Sequence, residues 1–206
     1  MKKIIFLHLL LLNFLCSAQE VNFNFDFDYK ITSQTKFTDH IEREEYFLIN
    51  SKNHDFFLEM NKNFYTKQYY ADIIDSKNIY RFDVENPWTP KMEFKMIEIF
   101  RRHGKKIFDY KLLEIINLGK LHYRILGKKR NKVLFEMECK LQPYEANLLN
   151  FNFEGLTFSQ HKEFLQLLNQ KLKDDKQEGN FYFEEIIFKY GSVLTLKMKP
   201  EKYLQN

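Results

Sequence analysis

The chain has 206 residues, of which 44% are hydrophobic, 17% aromatic and 29% charged, and its formal net charge is +4. This composition excludes a disordered tail, and six glycines with four prolines exclude collagen-like or low-complexity sequence. Two cysteines are too few for a disulfide scaffold. The composition therefore indicates a globular protein with enough apolar material for a core.

The first nineteen residues have the pattern of a secretory signal peptide. Lys2 and Lys3 precede an apolar run from Ile4 to Leu15, and Ser17-Ala18-Gln19 supplies the small residues of a cleavage site. The run is shorter than the ~20 residues that a membrane-spanning helix needs. We therefore divide the chain into a cleaved signal peptide, 1–19, and a single exported β-rich domain, 20–206, in the periplasm or outside the cell.

Cys16 raises the question of a lipid anchor. Bacterial lipoprotein signals place a small residue directly before the cysteine, whereas Leu15 stands there, so lipidation of Cys16 is disfavoured. Without residues 1–19 the net charge falls to +2, and nucleic acid is not an expected partner of an exported protein. Cys139 is then the remaining cysteine, which excludes an internal disulfide and a cysteine-based zinc site.

Apolar and polar residues alternate along several segments, which is the pattern of strands with one buried face. Short polar turns separate these segments, and this spacing favours an antiparallel meander. Strands are predicted at 22–31, 44–50, 55–61, 64–74, 78–85, 92–102, 106–116, 120–127, 132–141, 181–190 and 193–199.

One amphipathic helix is predicted over residues 158–173, before a hairpin at Gly191-Ser192. Its apolar stripe consists of His161, Phe164, Leu165, Leu168 and Leu172. The predicted fold class is mainly β: a large curled antiparallel meander of about ten strands, with this helix before the C-terminal hairpin.

The sequence contains no local pattern for catalysis, for metal binding or for a cofactor, and we predict none of the three. The histidines after the signal show no metal-pair spacing and are interpreted as surface or edge residues: His40, His54, His103, His122 and His161. Cys139 shares a strand face with Phe135 and Met137, so we expect a buried, unreactive thiol. Asp26 and Asp28 share a face, but two carboxylates fall short of a calcium site and favour a solvated face.

An aromatic stripe at strand spacing, Phe23, Phe25, Phe27 and Tyr29, has two interpretations. It lines a cavity for an apolar ligand, or it belongs to an ordinary core. In this segment and in the strand at 132–141, the alternation makes specific predictions of burial. The side chains expected to be buried are Phe25, Phe27, Phe135 and Met137. The side chains expected to be exposed are Asp26, Asp28, Glu136 and Glu138.

If residues 92–141 form an up-and-down meander, the turns near 103–105 and 128–131 lie at the same end of the sheet. Eight cations would then cluster there: Arg101, Arg102, Lys105, Lys106, Lys128, Lys129, Arg130 and Lys132. They are either solvated hairpin tips or a site that binds an anionic membrane surface or another polyanion.

The exported, strand-rich layout with one late helix resembles the curled half-barrel of periplasmic lipoprotein carriers and related lipid-binding domains. The resemblance implies that acyl chains bind in a cavity under the helix. The sequence does not identify a role: it favours an exported, non-enzymatic β-rich protein, and ligand binding is one role that it allows. The alternatives are a carrier or sensor of lipid or another apolar molecule, and a hydrolase whose site is assembled from distant residues. The expected partners are an apolar small molecule or an anionic membrane surface, and the oligomeric state is left open.

Overall fold

The computed structural model describes residues 27–37, 42–52, 57–63, 65–74, 78–89, 91–101, 109–149, 158–190 and 192–203. Within these ranges it contains eleven strands in one antiparallel sheet, and one helix. The strands are β1 (Tyr29–Phe37), β2 (Glu42–Ile49), β3 (Phe57–Lys62), β4 (Tyr69–Ile74), β5 (Asn78–Glu85), β6 (Glu93–Arg101), β7 (Leu112–Gly119), β8 (His122–Lys129), β9 (Lys132–Tyr144), β10 (Asn180–Tyr190) and β11 (Ser192–Lys202). The helix is α1 (Phe158–Asp174). The predicted fold class is confirmed, including the helix before the C-terminal hairpin.

The strand order is β6-β5-β4-β3-β2-β1-β11-β10-β9-β8-β7. β1 pairs with β11, which joins the first strand of the chain to the last, and the other neighbours in the order are consecutive in sequence. β6 and β7 are also consecutive in sequence, but they form the two edges of the sheet. The continuous meander predicted over 92–141 is therefore wrong at this one connection.

Two hairpins turn through pairs of residues with positive φ. The φ angles are 46° at Lys120 and 60° at Leu121, between β7 and β8, and 48° at Arg130 and 64° at Asn131, between β8 and β9. Positive φ at both central residues is the requirement of a type I′ turn. The predicted strands 106–116 and 120–127 imply a turn at 117–119, and the observed turn lies slightly later in the chain. Strand β8 extends to Lys129, into the turn predicted near 128–131.

The buried face of the sheet changes sides within the molecule. We call the side that packs against α1 the helix face and the other side the opposite face. On β7 to β11 and β1, the buried apolar residues lie on the helix face, as Ile125 and Phe183 do. Residues directly across a strand pair share a face, and Ile31 opposes Phe47, which in turn opposes Glu59. On β3 the helix face carries Glu59, although Phe57 at the start of the strand still packs with Phe47 in the core under α1.

The same register continues across the next strands. Glu59 opposes Asp72, and Asp72 opposes Arg81, whose Nε donates to Asp72 Oδ1 at 2.8 Å. On these strands most of the buried apolar side chains occupy the opposite face, and they form a second core. Its members include Leu58, Met60, Ala71, Ile73, Tyr80, Phe82 and Val84.

Strand β2 belongs to both cores. Phe47, Leu48 and Ile49 are 5%, 0% and 1% exposed, although successive side chains of a strand point to opposite faces. Phe47 and Ile49 pack in the core under α1, whereas Leu48 packs in the second core. A strand buried on both faces is therefore the boundary between the two halves of the sheet.

Candidate functional site

Helix α1 places one apolar stripe on the helix face. Phe164, Leu168 and Leu172 are 1%, 0% and 4% exposed, and the ring of Phe164 stacks on that of Phe183 with centroids 6.1 Å apart. The apolar stripe predicted from the sequence is therefore the surface of α1 that packs against the sheet and closes the core. His161, interpreted as a surface or edge residue, is buried, because it shares this stripe.

A narrow gap remains between the first turns of α1 and strands β7 to β9. Leu113, Ile125 and Met137 line it from the sheet, and Phe164 lines it from the helix. The gap is too narrow for a water molecule. Its described walls carry no charged side chain, so it is an imperfection in an apolar contact and not a polar binding pocket.

Polar contacts fasten both ends of α1 to the sheet side of the molecule. Near its start, Tyr110 Oη donates to Glu163 Oε2 at 2.9 Å, and burial followed by this bond raises the pKa of Tyr110 far above its usual range. Beyond its end, Asn117 Nδ2 donates to Asp175 Oδ2 at 2.6 Å. Lys171 lowers the pKa of Asp175, because its Nζ lies 3.0 Å from Asp175 Oδ1. The helix is apolar against the sheet and polar where it is fastened.

Two buried hydroxyl groups face this core from the sheet. Tyr123 is 0% exposed, and burial, followed by the charge of Asp175, raises its pKa to about 12. Ser33 is also 0% exposed, and its Oγ has no hydrogen-bond partner among the described residues. Ser33 is thus an isolated polar group in an apolar setting, the kind of group that orients a ligand.

The predicted aromatic stripe does not line a single cavity in the described part of the chain. Phe27 and Tyr29 are both buried, at 2% and 7% exposure, but Phe27 packs in the second core and Tyr29 packs under α1. The strict alternation holds only inside a regular strand, and β1 begins at Tyr29. Phe23 and Phe25 lie outside the described residues.

Asp28, expected to be exposed, is half-buried instead. It accepts hydrogen bonds from the backbone N of Ser51, at 2.7 Å, and from the hydroxyl of Ser51. Its carboxylate therefore holds the segment after β2 and does not stand on a solvated face. Asp26, the second carboxylate of the cation site considered from the sequence, lies outside the described residues.

The cationic cluster predicted at one end of the sheet depended on a continuous meander over 92–141, which the sheet does not contain. Every neighbouring pair in the eleven-stranded order is antiparallel, so β6 and β7 run in the same direction. Arg101, at the end of β6, therefore lies at the end of the sheet opposite to the turn between β8 and β9. Three further members lie outside the described residues: Arg102, Lys105 and Lys106.

The remaining four cations stand at the turn between β8 and β9, and two of them are paired. Lys128 forms an ion pair with Glu114, and Lys129 Nζ lies 2.6 Å from Asp109 Oδ2. The exposed members of this turn are Arg130 and Lys132. This arrangement is that of a charged hairpin tip at a sheet end.

Glu136 and Glu138, expected to be exposed, are half-buried in an ion-pair network on the opposite face. Lys189 Nζ lies 2.9 Å from Glu136 Oε1 and 3.2 Å from Glu138 Oε1, and Arg124 Nη2 lies 3.0 Å from Glu138 Oε1. Burial acts to raise the pKa of Glu138, but hydrogen bonds from Lys189 and Arg124 outweigh it and lower the pKa. His122 Nε2 lies 3.4 Å from Glu138 Oε2. The network ties β8, β9 and β10 together.

A larger depression, of about 470 Å³, lies on the opposite face where β2, β1 and β11 are adjacent. Its walls include Gln34, Glu44, Thr195 and Lys197. Because these side chains are polar or charged, the depression does not suit an apolar ligand, and the core under α1 remains the candidate site.

Cys139, Phe135 and Met137 are buried at 1%, 2% and 1% exposure, as predicted. Burial raises the pKa of the Cys139 thiol far above its usual range, which keeps it protonated. Within the described ranges no three His, Cys, Asp or Glu residues stand close enough to hold a metal ion. In the same part of the chain, no helix has the length and hydropathy to cross a membrane. Three of the histidines considered from the sequence lie outside the described residues: His40, His54 and His103.

No protein-family model matches the chain, and a comparison with curated proteins finds no match. Among solved structures, the chain is similar to a LolA superfamily protein from Nitrosomonas europaea, with 12% sequence identity and a TM-score of 0.36. The similarity covers 92% of this chain and 90% of that chain. It agrees with the weak architectural resemblance stated from the sequence, and at this level it gives no information about function.

Proposed function

We propose that the protein binds an apolar molecule on the helix face of the sheet, with α1 as a movable cover. The observation that carries the proposal is the distribution of contacts along α1. Apolar packing holds the helix against the sheet and leaves a gap beside its first turns, and polar contacts fasten the helix near both ends. A helix held in this way can leave the sheet as a unit when a ligand replaces its apolar contacts.

The closed position of α1 leaves no room for a ligand, so binding requires that the helix moves away. Moving it alone would expose Phe164, Leu168 and Leu172, at a cost of about 1.5–3 kcal/mol for each side chain. An apolar ligand that covers the same sheet surface offsets this cost. The closed state is therefore favoured without ligand, and the open state is favoured with it.

The lining of the site selects the chemical class of the ligand. The described residues around the gap are aromatic, aliphatic or sulfur-containing, together with Gln160, and none of them is charged. A lipid acyl chain or another elongated apolar molecule matches this surface. The Oγ of Ser33 offers a single polar contact to such a molecule.

The test uses a matched pair of variants on β7. Leu113 lines the gap, whereas Leu112 is 57% exposed and points to the other face. We expect Leu113→Phe to weaken the binding of 11-(dansylamino)undecanoic acid about tenfold, because the added ring occupies the site, a loss of about 1.4 kcal/mol. Leu112→Phe should bind the probe as the unchanged protein does. Equal binding by both variants would contradict the proposal, and circular dichroism shows whether each variant is folded.

A second measurement identifies the natural ligand. Native mass spectrometry of the protein purified from the cell envelope should show an added mass that is lost on extraction with organic solvent. A protein that carries no added mass, and that also fails to bind the fluorescent probe, would contradict the proposal.

The place of action is a separate part of the proposal. The signal pattern of residues 1–19 supports export, with a mature protein that begins at Gln19 or Glu20. N-terminal sequencing of the exported protein tests this directly. A start at a lipidated Cys16 would contradict it and would place the protein on a membrane.

A further inference from the structure

Strand β6 exposes several apolar side chains beside its outer edge. Met96, Ile97 and Ile99 are 42%, 53% and 51% exposed. β6 is an end strand of the sheet, and no described strand pairs with its outer edge. The other end strand, β7, is contacted by α1, and Asn117 at its end is bonded to Asp175. An open apolar edge on a nine-residue strand is a surface that pairs readily with another strand.

A bulge divides β6 into two parts with a defined pattern of faces. Arg81 opposes Glu98 and Phe82 opposes Met96, so Ile97 is the extra residue. Lys95 opposes Asp83, which lies on the same face of β5 as Arg81. Lys95 and Glu98 therefore share the helix face, on either side of the bulge.

The opposite face of β6 shows the matching apolar pattern. Phe94 opposes Val84, and Ile99 opposes Tyr80, and both partners are buried in the second core. Phe94 and Ile99 therefore share the opposite face, again on either side of the bulge. Along β6, Phe94 and Lys95 therefore precede the bulge, and Glu98 and Ile99 follow it.

We propose that two copies of the protein form a dimer by antiparallel pairing of their β6 strands. In the register that aligns the two bulges, Lys95 opposes Glu98 of the second copy, and Phe94 opposes Ile99 of the second copy. Both pairs join side chains on the same face of the continuous sheet, and two-fold symmetry repeats each pair. The pairing also satisfies the backbone groups of the open edge.

The positions of Lys95 and Glu98 favour a second copy of the chain, paired in this register, as the partner of the β6 edge. A shift by one residue would place Lys95 opposite Ile97 or Ile99, and the face of Ile99 is not that of Lys95. Both charged residues are exposed. Lys95 forms no ion pair within the described part of the chain, and Glu98 acts electrostatically on Arg81. The dimer does not depend on ligand binding, because β6 lies at the edge of the sheet farthest from β7.

The test is a charge-reversal experiment with sedimentation-velocity ultracentrifugation over a range of protein concentrations. We expect the unchanged protein to dimerise. Lys95→Glu and Glu98→Lys, each alone, should raise the dimer dissociation constant about tenfold, because both symmetry-related pairs become like-charged. An equimolar mixture of the two variants should form a heterodimer, because every pair across its interface is again opposite in charge.

The mixture separates a dimer contact from a local structural effect, since a variant that merely misfolds is not rescued by the other. Lys132→Glu serves as the control, because Lys132 is exposed at the turn between β8 and β9. It should leave the dimer unchanged. A monomeric unchanged protein, single variants that dimerise normally, or a mixture that fails to restore the dimer would each overturn the proposal.

Discussion

The two halves of the sheet bury most of their apolar residues on opposite faces. On β7 to β11 and β1 the apolar residues face α1, and the other face carries an ion-pair network around Glu138. On β3 to β5 most of the buried apolar residues form the second core, and the helix face carries charged residues such as Asp72 and Arg81. The comparison shows that one continuous sheet can change its buried face where β2 and the start of β3 are buried on both faces.

The difference separates two roles. The half under α1 is covered by a helix that polar contacts fasten, and in our proposal it is the half in which a ligand replaces protein contacts. Near the second core, Lys30 lies over the ring of Trp88 at 5.2 Å, and Trp88 contacts Tyr46 and Tyr69. These ring contacts pack against the second core, for which we propose no ligand.

The largest effect is expected at Phe135 in the half under α1. Phe135→Ala should lower the free energy of unfolding by about 3–5 kcal/mol, because the ring is buried and lies against Gly127. Glu136→Ala on the neighbouring position should cost about 1 kcal/mol or less, as expected for a surface ion pair. Urea unfolding measures both, and equal small losses would show that the faces of β9 are assigned wrongly.

The reversed face of β3 makes the matching prediction for the other half. Leu58→Ala should lower the free energy of unfolding by about 2–5 kcal/mol, because Leu58 is fully buried in the second core. Glu59→Ala, on the helix face, should have an effect of about 1 kcal/mol or less. If Glu59→Ala proved the more costly of the two, the change of face at β2 would be refuted.

Glu138 allows a pH test of the network on the opposite face. Its pKa is lower in the folded protein than in the unfolded chain, so its carboxylate contributes stability above about pH 4.3. That contribution is lost as the pH falls through the lower folded value. Glu138→Gln should therefore lower stability by about 1 kcal/mol at neutral pH, and the difference should shrink on acidification. Urea midpoints measured from neutral pH down to the acid range check this, and a difference independent of pH would contradict it.

The smallest effect on stability is expected at the fastening of α1. Asn117→Ala removes the hydrogen bond to Asp175 and should speed amide hydrogen exchange in α1, while exchange in β3 to β5 stays unchanged. Gln170→Ala is the control, because Gln170 bonds to Asp174 within the same segment of chain. Equal exchange in both variants would show that the bond from Asn117 does not hold the helix.

The sequence predicts the elements of this fold better than their arrangement. The bounds of α1 follow from its apolar stripe, and β5 matches its prediction because alternation and turn residues agree there. The positions of β6 and β7 at opposite edges do not follow from any local pattern, since the pairing of β1 with β11 joins residues from the two ends of the chain. Adjacency in sequence therefore suggested a hairpin that the sheet does not form.

The candidate site was predicted only in part for the same reason. The stripe of α1 was identified as apolar, whereas the partners that fasten the helix, Tyr110 and Asn117, lie far from it in sequence. The run Tyr46-Phe47-Leu48-Ile49 does carry a signal, because a continuous apolar stretch is typical of a strand buried on both faces. The aromatic residues at 27 and 29 mislead, because β1 begins between them and Phe27 packs elsewhere.

The most direct test of the proposed site is to lock α1 in place and measure binding. Asn117→Cys and Asp175→Cys, in a protein with Cys16→Ser, can be joined by a short reducible bis-methanethiosulfonate cross-linker, and the buried Cys139 stays unreacted. We expect the cross-linked protein not to bind 11-(dansylamino)undecanoic acid and the reduced protein to bind it. Equal binding before and after reduction would show that α1 does not cover the site.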